Sequence, residues 1–481
     1  MNTRSNSLHE TDIAYQVHPY TNARAHEEQG PMIITKGDGC YVYDSEGKKY
    51  LEGLAGLWSV AVGFSQPRLV EAAAKQMSEL PYIQNFAHKA HAPGILLAEK
   101  LVEMTPEHLT KVFYTNSGSE ANDTVVKFVW FMNNMLGRPE KKKFLARNKG
   151  YHGITVASGS LTGLPGNQKG FDLPAIPVIH LTCPHHYRWA EEGESEADFT
   201  ARLLKEAEET ILSEGPETIA AFIGEPVMGA GGVMTPPEGY WPGIEALCRK
   251  YDILLISDEV INGFGRTGQP FGCQTYGFTP DIMVTSKQLT SSYMPLAAIM
   301  MSDAVYQIIA DYTEQLGTLG HGFTAGGNPV ACAVGLENLA IIEEQDLMGN
   351  AARLADRLQS GLRQFSDHEL VGEVRGVGLI AGVELVADKA TKKSFEPGGK
   401  IAAVAAKMAA EEGLIVRNIY ETIGICPPLI ITEAQVDELL EKLGRALDHR
   451  EAPASRVLLT AGMPSRARPR QYCDVQHRNG G

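Results

Sequence analysis

Short apolar runs, each closing on a polar or charged residue and each followed by a stretch of helical spacing, set the rhythm of this chain. Near the middle, Ile253-Leu-Leu-Ile-Ser-Asp-Glu-Val260 and Asp281-Ile-Met-Val-Thr-Ser-Lys287 show the pattern most plainly. Each reads as a buried parallel strand that delivers a functional group at its C-terminal end. The runs Lys111–Thr115, Lys143–Arg147 and Ile219–Gly224 read the same way, with helical spacing over Glu120–Asn134, the acidic stretch 190–215 and Gly243–Tyr251. The alternation predicts a large domain with a mostly parallel central sheet flanked by helices, an α/β architecture that binds ligands at the carboxyl ends of its strands.

Outside that region the spacing changes. Residues 1 to about 30 predict an arm rather than a core element. Residues 33–53 alternate between apolar and polar positions with Gly and Asp turns, which predicts a small antiparallel meander. After the glycine-rich loop Gly317–Pro329 come helices at 350–365 and 400–412, strands at 370–375, 378–386 and Leu414–Arg417, and a last helix from Thr432, where Thr432-x-x-Gln435 forms a capping box. At 481 residues the chain is too long for one ordinary core. The expected division is 1–60, an arm and a segment of the small domain; 61–330, the large domain; 331–450, a smaller α+β domain; and 451–481, a disordered tail. The tail carries five Arg against two acidic residues, unlike everything before it.

Composition narrows the chemistry. With 43 Lys and Arg against 58 Asp and Glu the formal charge is −15, which argues against a nucleic-acid partner. No apolar run approaches a membrane span and the polar N-terminus lacks a signal-peptide core, so no membrane partner and a cytoplasmic location are expected. Seven scattered cysteines without a Cys-x-x-Cys pair suggest reduced thiols. Cys183-Pro-His-His-Tyr187 resembles a metal cluster only in passing: adjacent strand histidines would face opposite ways, and no third ligand has suitable spacing, so no metal is expected.

The strand ends carry the candidate chemistry. Asp258 and Lys287 close two neighbouring runs. A buried Lys can form a Schiff base with a carbonyl, and an Asp can keep a pyridine nitrogen protonated so that the ring accepts electrons, the arrangement of pyridoxal-phosphate enzymes. Asn116-Ser-Gly-Ser119, between a strand and a helix, offers free N–H groups and a helix dipole to a phosphate. Many such turns hold no ligand, however. Tyr151, in Gly150-Tyr-His-Gly153, could lie flat on a ring or be an ordinary turn aromatic. Trp58 could equally be a packing residue.

Taken in order, Gly-Leu-Trp58, Asn-Ser-Gly-Ser-Glu-Ala-Asn122, Tyr151-His-Gly, Glu225-Pro-Val, Asp258-Glu-Val-Ile-Asn-Gly-Phe-Gly-Arg-Thr-Gly268, Ser-Lys287, Gly-Phe-Thr324 and Cys-Pro-Pro-Leu-Ile430 resemble the class III, omega-type aminotransferases of PLP fold type I. The likeness runs from about residue 15 to 450 and is greatest to the amine:pyruvate group, through Leu-Trp58 and Leu-Thr-Gly-Leu-Pro165 to Cys-Pro-His-His-Tyr-Arg188.

The resemblance implies pyridoxal 5′-phosphate as cofactor, with Lys287 as Schiff-base lysine and proton carrier and Asp258 as pyridinium partner. Gly118 and Ser119 would hold the phosphate, Tyr151 and Val260 would pack on opposite ring faces, and Glu225 would support the Asp side of the ring. Thr324 would reach the phosphate of a neighbouring subunit, which implies a homodimer with interfacial sites, or a tetramer. Arg417 matches the mobile arginine that pairs with a substrate carboxylate, and spacing alone would also allow an ordinary surface arginine. Trp58, Phe86 and Tyr151 would line the amine pocket. The implied reaction moves an amino group from a primary amine or omega-amino acid to pyruvate. The alternatives are 2-oxoglutarate as acceptor, a diamine, taurine or beta-alanine as donor, or a non-catalytic nucleotide-binding module. Two departures stand out. Gln288 follows the lysine, putting a polar side chain beside it, and Tyr420-Glu-Thr-Ile occupies a place where a Gly-Asp pair is frequent and could reposition Arg417.

Overall fold

Strands buried on both faces build the centre of the molecule. The computed structural model describes residues 7–448. Three short strands come first, β1 (Ile34–Asp38), β2 (Tyr41–Asp44) and β3 (Lys49–Glu52), joined antiparallel as the alternation predicts. The large sheet then collects β4 (Leu109–Thr115), β5 (Lys143–Arg147), β6 (Val178–Leu181), β7 (Ile219–Gly224), β8 (Leu254–Asp258), β9 (Ile282–Thr285) and β10 (Ala297–Ser302). Their order is β4-β10-β9-β8-β7-β5-β6, parallel throughout except for β10, which runs against both its neighbours.

Successive residues of these strands serve different cores. Leu145, Phe222, Leu255 and Met283 pack on one side, with Trp241 and Ile244 of the helix Tyr240–Lys250. Their neighbours Phe144, Ile223, Ile256 and Ile282 pack on the other, with Val125, Phe128 and Met132 of the helix Gly118–Met135. Each fully buried side chain of this size stabilises by about 1.5–3 kcal/mol. Two-sided burial explains why these strands read as unbroken apolar runs. The sheet is thus a rigid plate whose parallel strands all end on one edge.

A second sheet, in the order β11-β12-β15-β14, is built from β11 (Val371–Val377), β12 (Ile380–Leu385), β14 (Arg417–Ile419) and β15 (Thr422–Ile425). Just ahead of β14, β13 (Leu414–Ile415) pairs parallel with β3. The single strand expected at Leu414–Arg417 is therefore two, divided at Val416 between two sheets. The N-terminal arm contains two short helices, Leu8–Tyr15 and Ala23–Gln29. Six cysteines are buried free thiols; Cys473 and the tail 451–481 lie outside the described residues. No described helix is long and apolar enough to cross a membrane.

Candidate active site

β8 ends on Asp258, which is 3% exposed. Its Oδ2 meets His152 Nδ1 at 2.8 Å and accepts from Asn122 Nδ2 at 2.9 Å; its Oδ1 accepts only a longer bond from the Val260 amide, 3.2 Å. Asn122 also donates to the His152 carbonyl at 2.7 Å, so one amide ties carboxylate and imidazole together. One carboxylate oxygen is fixed, and the other keeps acceptor capacity for a further donor.

Lys287 follows the end of β9 at the next strand position in the sheet, held at φ +32°. Burial lowers its amine from 10.5 to about 8, against the pull of Asp258 and Glu225 and with help from Arg417. A minor but appreciable fraction of the amine, about a fifth, is then neutral near physiological pH, the form a nucleophile or base requires. Gln288 turns away from this amine. Its Nε2 donates to the Ile261 and Gly263 carbonyls at 2.9 Å each, and its Oε1 accepts from the buried Arg266 at 3.2 Å. The polar neighbour expected beside the lysine is instead a brace for the loop after Asp258.

The turn after β4 starts an 18-residue helix capped by Ser117, whose Oγ accepts from the Glu120 amide at 3.2 Å. A Cβ on Gly118 would lie 3.2 Å from Val260 Cγ2, so the glycine lets the helix N-terminus close on the strand that carries Asp258. Ser119 Oγ accepts from the Ile154 amide at 3.2 Å. Gly118, Ser119, Val260 and Asp258 thus form one wall.

Tyr151 is half-buried, and its amide donates to Glu225 Oε1 at 2.9 Å while Glu225 Oε2 accepts from the Gly229 amide at 3.0 Å. Burial raises the Glu225 carboxyl above its ordinary range. Burial also raises the Tyr151 hydroxyl, and Tyr20 from the N-terminal arm adds to this through a hydrogen bond. Arg417, at the start of β14, is half-buried beside Tyr20 and Tyr151, and burial lowers its guanidinium. Tyr420, at φ +50° in the turn between β14 and β15, lies under Lys149 Nζ, 4.0 Å from the ring centre.

Trp58 is 1% exposed. It packs with Leu54, Ile261, Ile419 and Cys426, and its ring lies close enough to Gly424 that a Cβ there would be 3.0 Å from Cη2. Gly424 pairs with Arg417, so the indole underlies the arginine's hairpin. Glu52 shapes the turn that presents it, accepting from the Leu54 amide at 3.1 Å and from the Gly56 amide.

Phe86 and Thr324 belong to a different place. Phe86 is 48% exposed and lies against the loop at Gly322, where a Cβ would be 2.9 Å from its Cε1. Thr324 is exposed, and its carbonyl accepts from Tyr82 at 2.8 Å. These two meet each other's segments on the surface, whereas Lys287, Asp258, Glu225, Tyr151 and Arg417 are linked to one another by hydrogen bonds and electrostatic contacts.

Sequence reasoning passed over His152, Asn122, Tyr20 and Glu52. His152 sits next to the singled-out Tyr151 and Asn122 one helical turn beyond Ser119, so proximity was a usable signal for both. Nothing local marks Tyr20 or Glu52. The Cys183–Tyr187 stretch also differs from expectation: it follows β6 as a loop and a short helix, so the strand argument does not hold. His185 Nε2 meets Glu373 at 2.7 Å, while Arg375 pairs with Glu373 and Glu384 at 2.6 Å each.

The main wall suits pyridoxal 5′-phosphate by its donor set. A helix N-terminus at Gly118 and Ser119 suits a phosphate, a buried carboxylate with a spare acceptor suits a pyridinium nitrogen, and an amine of lowered basicity suits the aldehyde.

Comparison with known proteins agrees. A family model described as Aminotransferase class-III matches residues 22–447. The chain is 46% identical over 452 residues to gamma aminobutyrate transaminase 3, chloroplastic, of Solanum lycopersicum, covering 93% of this chain and 87% of that one. It is similar to the omega transaminase from Pseudomonas jessenii in complex with PMP, with TM-score 0.92 and 58% identity over 95% of this chain and 100% of that chain. It is also similar to a structure described as "Transaminase with L-ala", with TM-score 0.86 and 55% identity over 89% of this chain and 100% of that chain.

Proposed function

The chain belongs to the class III aminotransferases, enzymes of PLP fold type I that use pyridoxal 5′-phosphate, and on that premise we propose that it moves an amino group from a primary amine or omega-amino acid to pyruvate by a ping-pong mechanism. The observation that carries this reading is the convergence of Lys287, held at about 8, with Asp258 and with Arg417 on one wall. Membership in an enzyme family sets aside the non-catalytic nucleotide-binding alternative.

When bound, the cofactor supplies a ring that takes up the electron pair left as the substrate's C–H bond breaks. Lys287 would hold the cofactor's aldehyde carbon and, once displaced by substrate, carry a proton at Nζ. Asp258 would accept from the ring nitrogen, oriented by His152 and Asn122. Gly118 and Ser119 would hold the phosphate, Tyr151 and Val260 would flank the ring, and Glu225 would fix Tyr151 through its amide.

Arg417 would bind the keto acid's carboxylate. Among the described residues its electrostatic neighbours are the hydroxyls of Tyr20 and Tyr151 and the Lys287 amine, with no ion pair to a carboxylate, which leaves its charge for substrate. Alanine is the amination product of pyruvate, so the similar transaminase described with L-ala supports this acceptor. The gamma-aminobutyrate transaminases among its relatives support an omega-amino acid donor.

Thr324 and Phe86, exposed together beside the glycine-rich loop, are suited to reach the site of a neighbouring subunit in a homodimer or in a tetramer built from such dimers. Within that assembly Phe86 would line the amine pocket opposite Trp58. The cytoplasm is the proposed compartment, in keeping with six free thiols among the described residues.

A donor and acceptor panel tests the reaction. Gamma-aminobutyrate and primary amines should react with pyruvate, and activity with 2-oxoglutarate but none with pyruvate would overturn the acceptor assignment.

A further inference from the structure

A second cluster of coordinating side chains lies in the N-terminal arm. His18 Nε2 is 2.9 Å from Asp12 Oδ1 and 3.0 Å from Oδ2, and His26 Nε2 is 2.8 Å from the same Oδ2. The two imidazoles lie 4.2 Å apart between centres, tilted by 39°. One nitrogen from each ring and a carboxylate oxygen all fall within 4.8 Å of one another, and the three side chains are half-buried. We propose that Asp12, His18 and His26 form a binding site for a borderline divalent transition metal, zinc foremost.

Ligand chemistry selects the ion. Two imidazoles and one carboxylate suit zinc and its neighbours, with water completing the shell, whereas magnesium and calcium favour oxygen donors. His185, Glu373 and Glu384 also converge, but Arg375 and Arg188 already pair with those carboxylates and would repel a cation. Among the described residues Asp12 forms ion pairs with the two histidines and with no Lys or Arg.

The position gives the ion something to do. Asp12 lies on the helix Leu8–Tyr15 and His26 on the helix Ala23–Gln29; neither helix buries a residue. Helices of eight and seven residues are marginal by themselves, so a cross-link would hold them together. The segment between them carries Tyr20, at φ +53°, whose hydroxyl accepts from Asn167 at 2.6 Å and which neighbours Tyr151 and Arg417. The cation would clasp the arm across the pocket. Metal binding itself does not depend on the substrate assignment.

Chelator-treated, cofactor-loaded enzyme titrated with zinc chloride by calorimetry should bind one ion per chain through this site, and cobalt chloride should give visible d–d bands. His26→Gln and Asp12→Asn should each weaken that binding more than about 10-fold, while melting and cofactor absorbance in the absence of metal stay as in the parent. Magnesium chloride should give no heat. Zinc affinity equal in parent and both variants, or no zinc binding by the parent, would overturn the proposal.

Discussion

His152 Nδ1 and Asp258 Oδ2 lie 2.8 Å apart, both side chains buried, at the end of the strand that anchors the site. The imidazole and Asn122 together hold one oxygen of the carboxylate and so aim the other. Asp258→Asn keeps the shape and removes the charge, and should lower kcat/KM by ~10²–10³-fold, the scale of losing a preorganised electrostatic group. His152→Ala only loosens the carboxylate and should cost about 10-fold. Steady-state kinetics with one fixed donor and acceptor would separate the two, and a fully active Asn variant would remove Asp258 from its assigned role.

Lys287 makes a pH prediction for the cofactor-free protein. With the folded amine near 8 and the unfolded one near 10.5, the unfolded chain binds more protons between those values, so this group's contribution to stability rises with pH across the window. Below about 8 both states carry the proton and the cost of burying the charge is complete. The whole span is about 3 kcal/mol at ~1.4 kcal/mol per tenfold. Lys287→Met should therefore be the more stable protein at neutral pH, and melting curves should show its advantage shrinking as the solution becomes alkaline. A constant gap would mean that the amine is not held low. The same variant should have no turnover.

Gly153 packs against the turn proposed to hold the phosphate. At φ +136° it sits where L-residues are strained, and a Cβ would lie 2.2 Å from Ser158 Oγ and 2.7 Å from Ser119 Oγ. Gly153→Ala must push Ser119 off its bond with the Ile154 amide. Cofactor titration of the apo-enzyme should show affinity weakened by about 10-fold or more, with a lowered melting temperature. Unchanged affinity would exclude Ser119 as a phosphate contact.

What was legible in the sequence follows from how local each signal is. The strands burying Leu255 and Ile256 on opposite faces had to be apolar throughout, and their polar ends advertised Asp258 and Lys287. The split at Val416 was not visible, because Leu414-Ile-Val416 reads as one apolar run closing on Arg417 with no turn residue to mark a break. Gln288 misled for a related reason: chain position put it beside the lysine, but side-chain direction took it to Arg266. Tyr20 was illegible because only the fold carries an arm residue to Tyr151 and Arg417. The Cys183–Tyr187 stretch needed partners such as Glu373 and Glu384, which lie almost two hundred residues away.

That distant network gives a stability prediction. Arg375 bridges Glu373 and Glu384 and also donates to the Gly232 carbonyl at 2.6 Å and to Thr422 Oγ1 at 3.0 Å, joining β11, β12 and β15 to the loop after β7. Glu384 is 5% exposed, and its carboxyl is held below the ordinary range: burial opposes this, but Arg375, His185 and Arg188 outweigh it. Glu384→Gln leaves Arg375 and Arg188 with less charge to face and should destabilise by ~3–5 kcal/mol. Chemical denaturation would measure this, and a loss below about 1 kcal/mol would show that the network behaves as if exposed.

Arg417 should separate the two half-reactions. Its guanidinium neighbours the Tyr20 and Tyr151 hydroxyls and the Lys287 amine, with no carboxylate paired to it, and its hairpin rests on Trp58, so a substrate carboxylate would gain a charged hydrogen bond worth ~1.5–3 kcal/mol. Arg417→Ala should therefore lower kcat/KM for pyruvate by about 10- to 100-fold, and should change kcat/KM for a carboxylate-free amine far less, because such a donor never uses the charge. Gamma-aminobutyrate provides an internal control, since its carboxylate should make it behave like the keto acid. Equal losses for pyruvate and for the carboxylate-free amine would show that Arg417 supports the fold of its hairpin, with Trp58 and Tyr420, and does not select substrates.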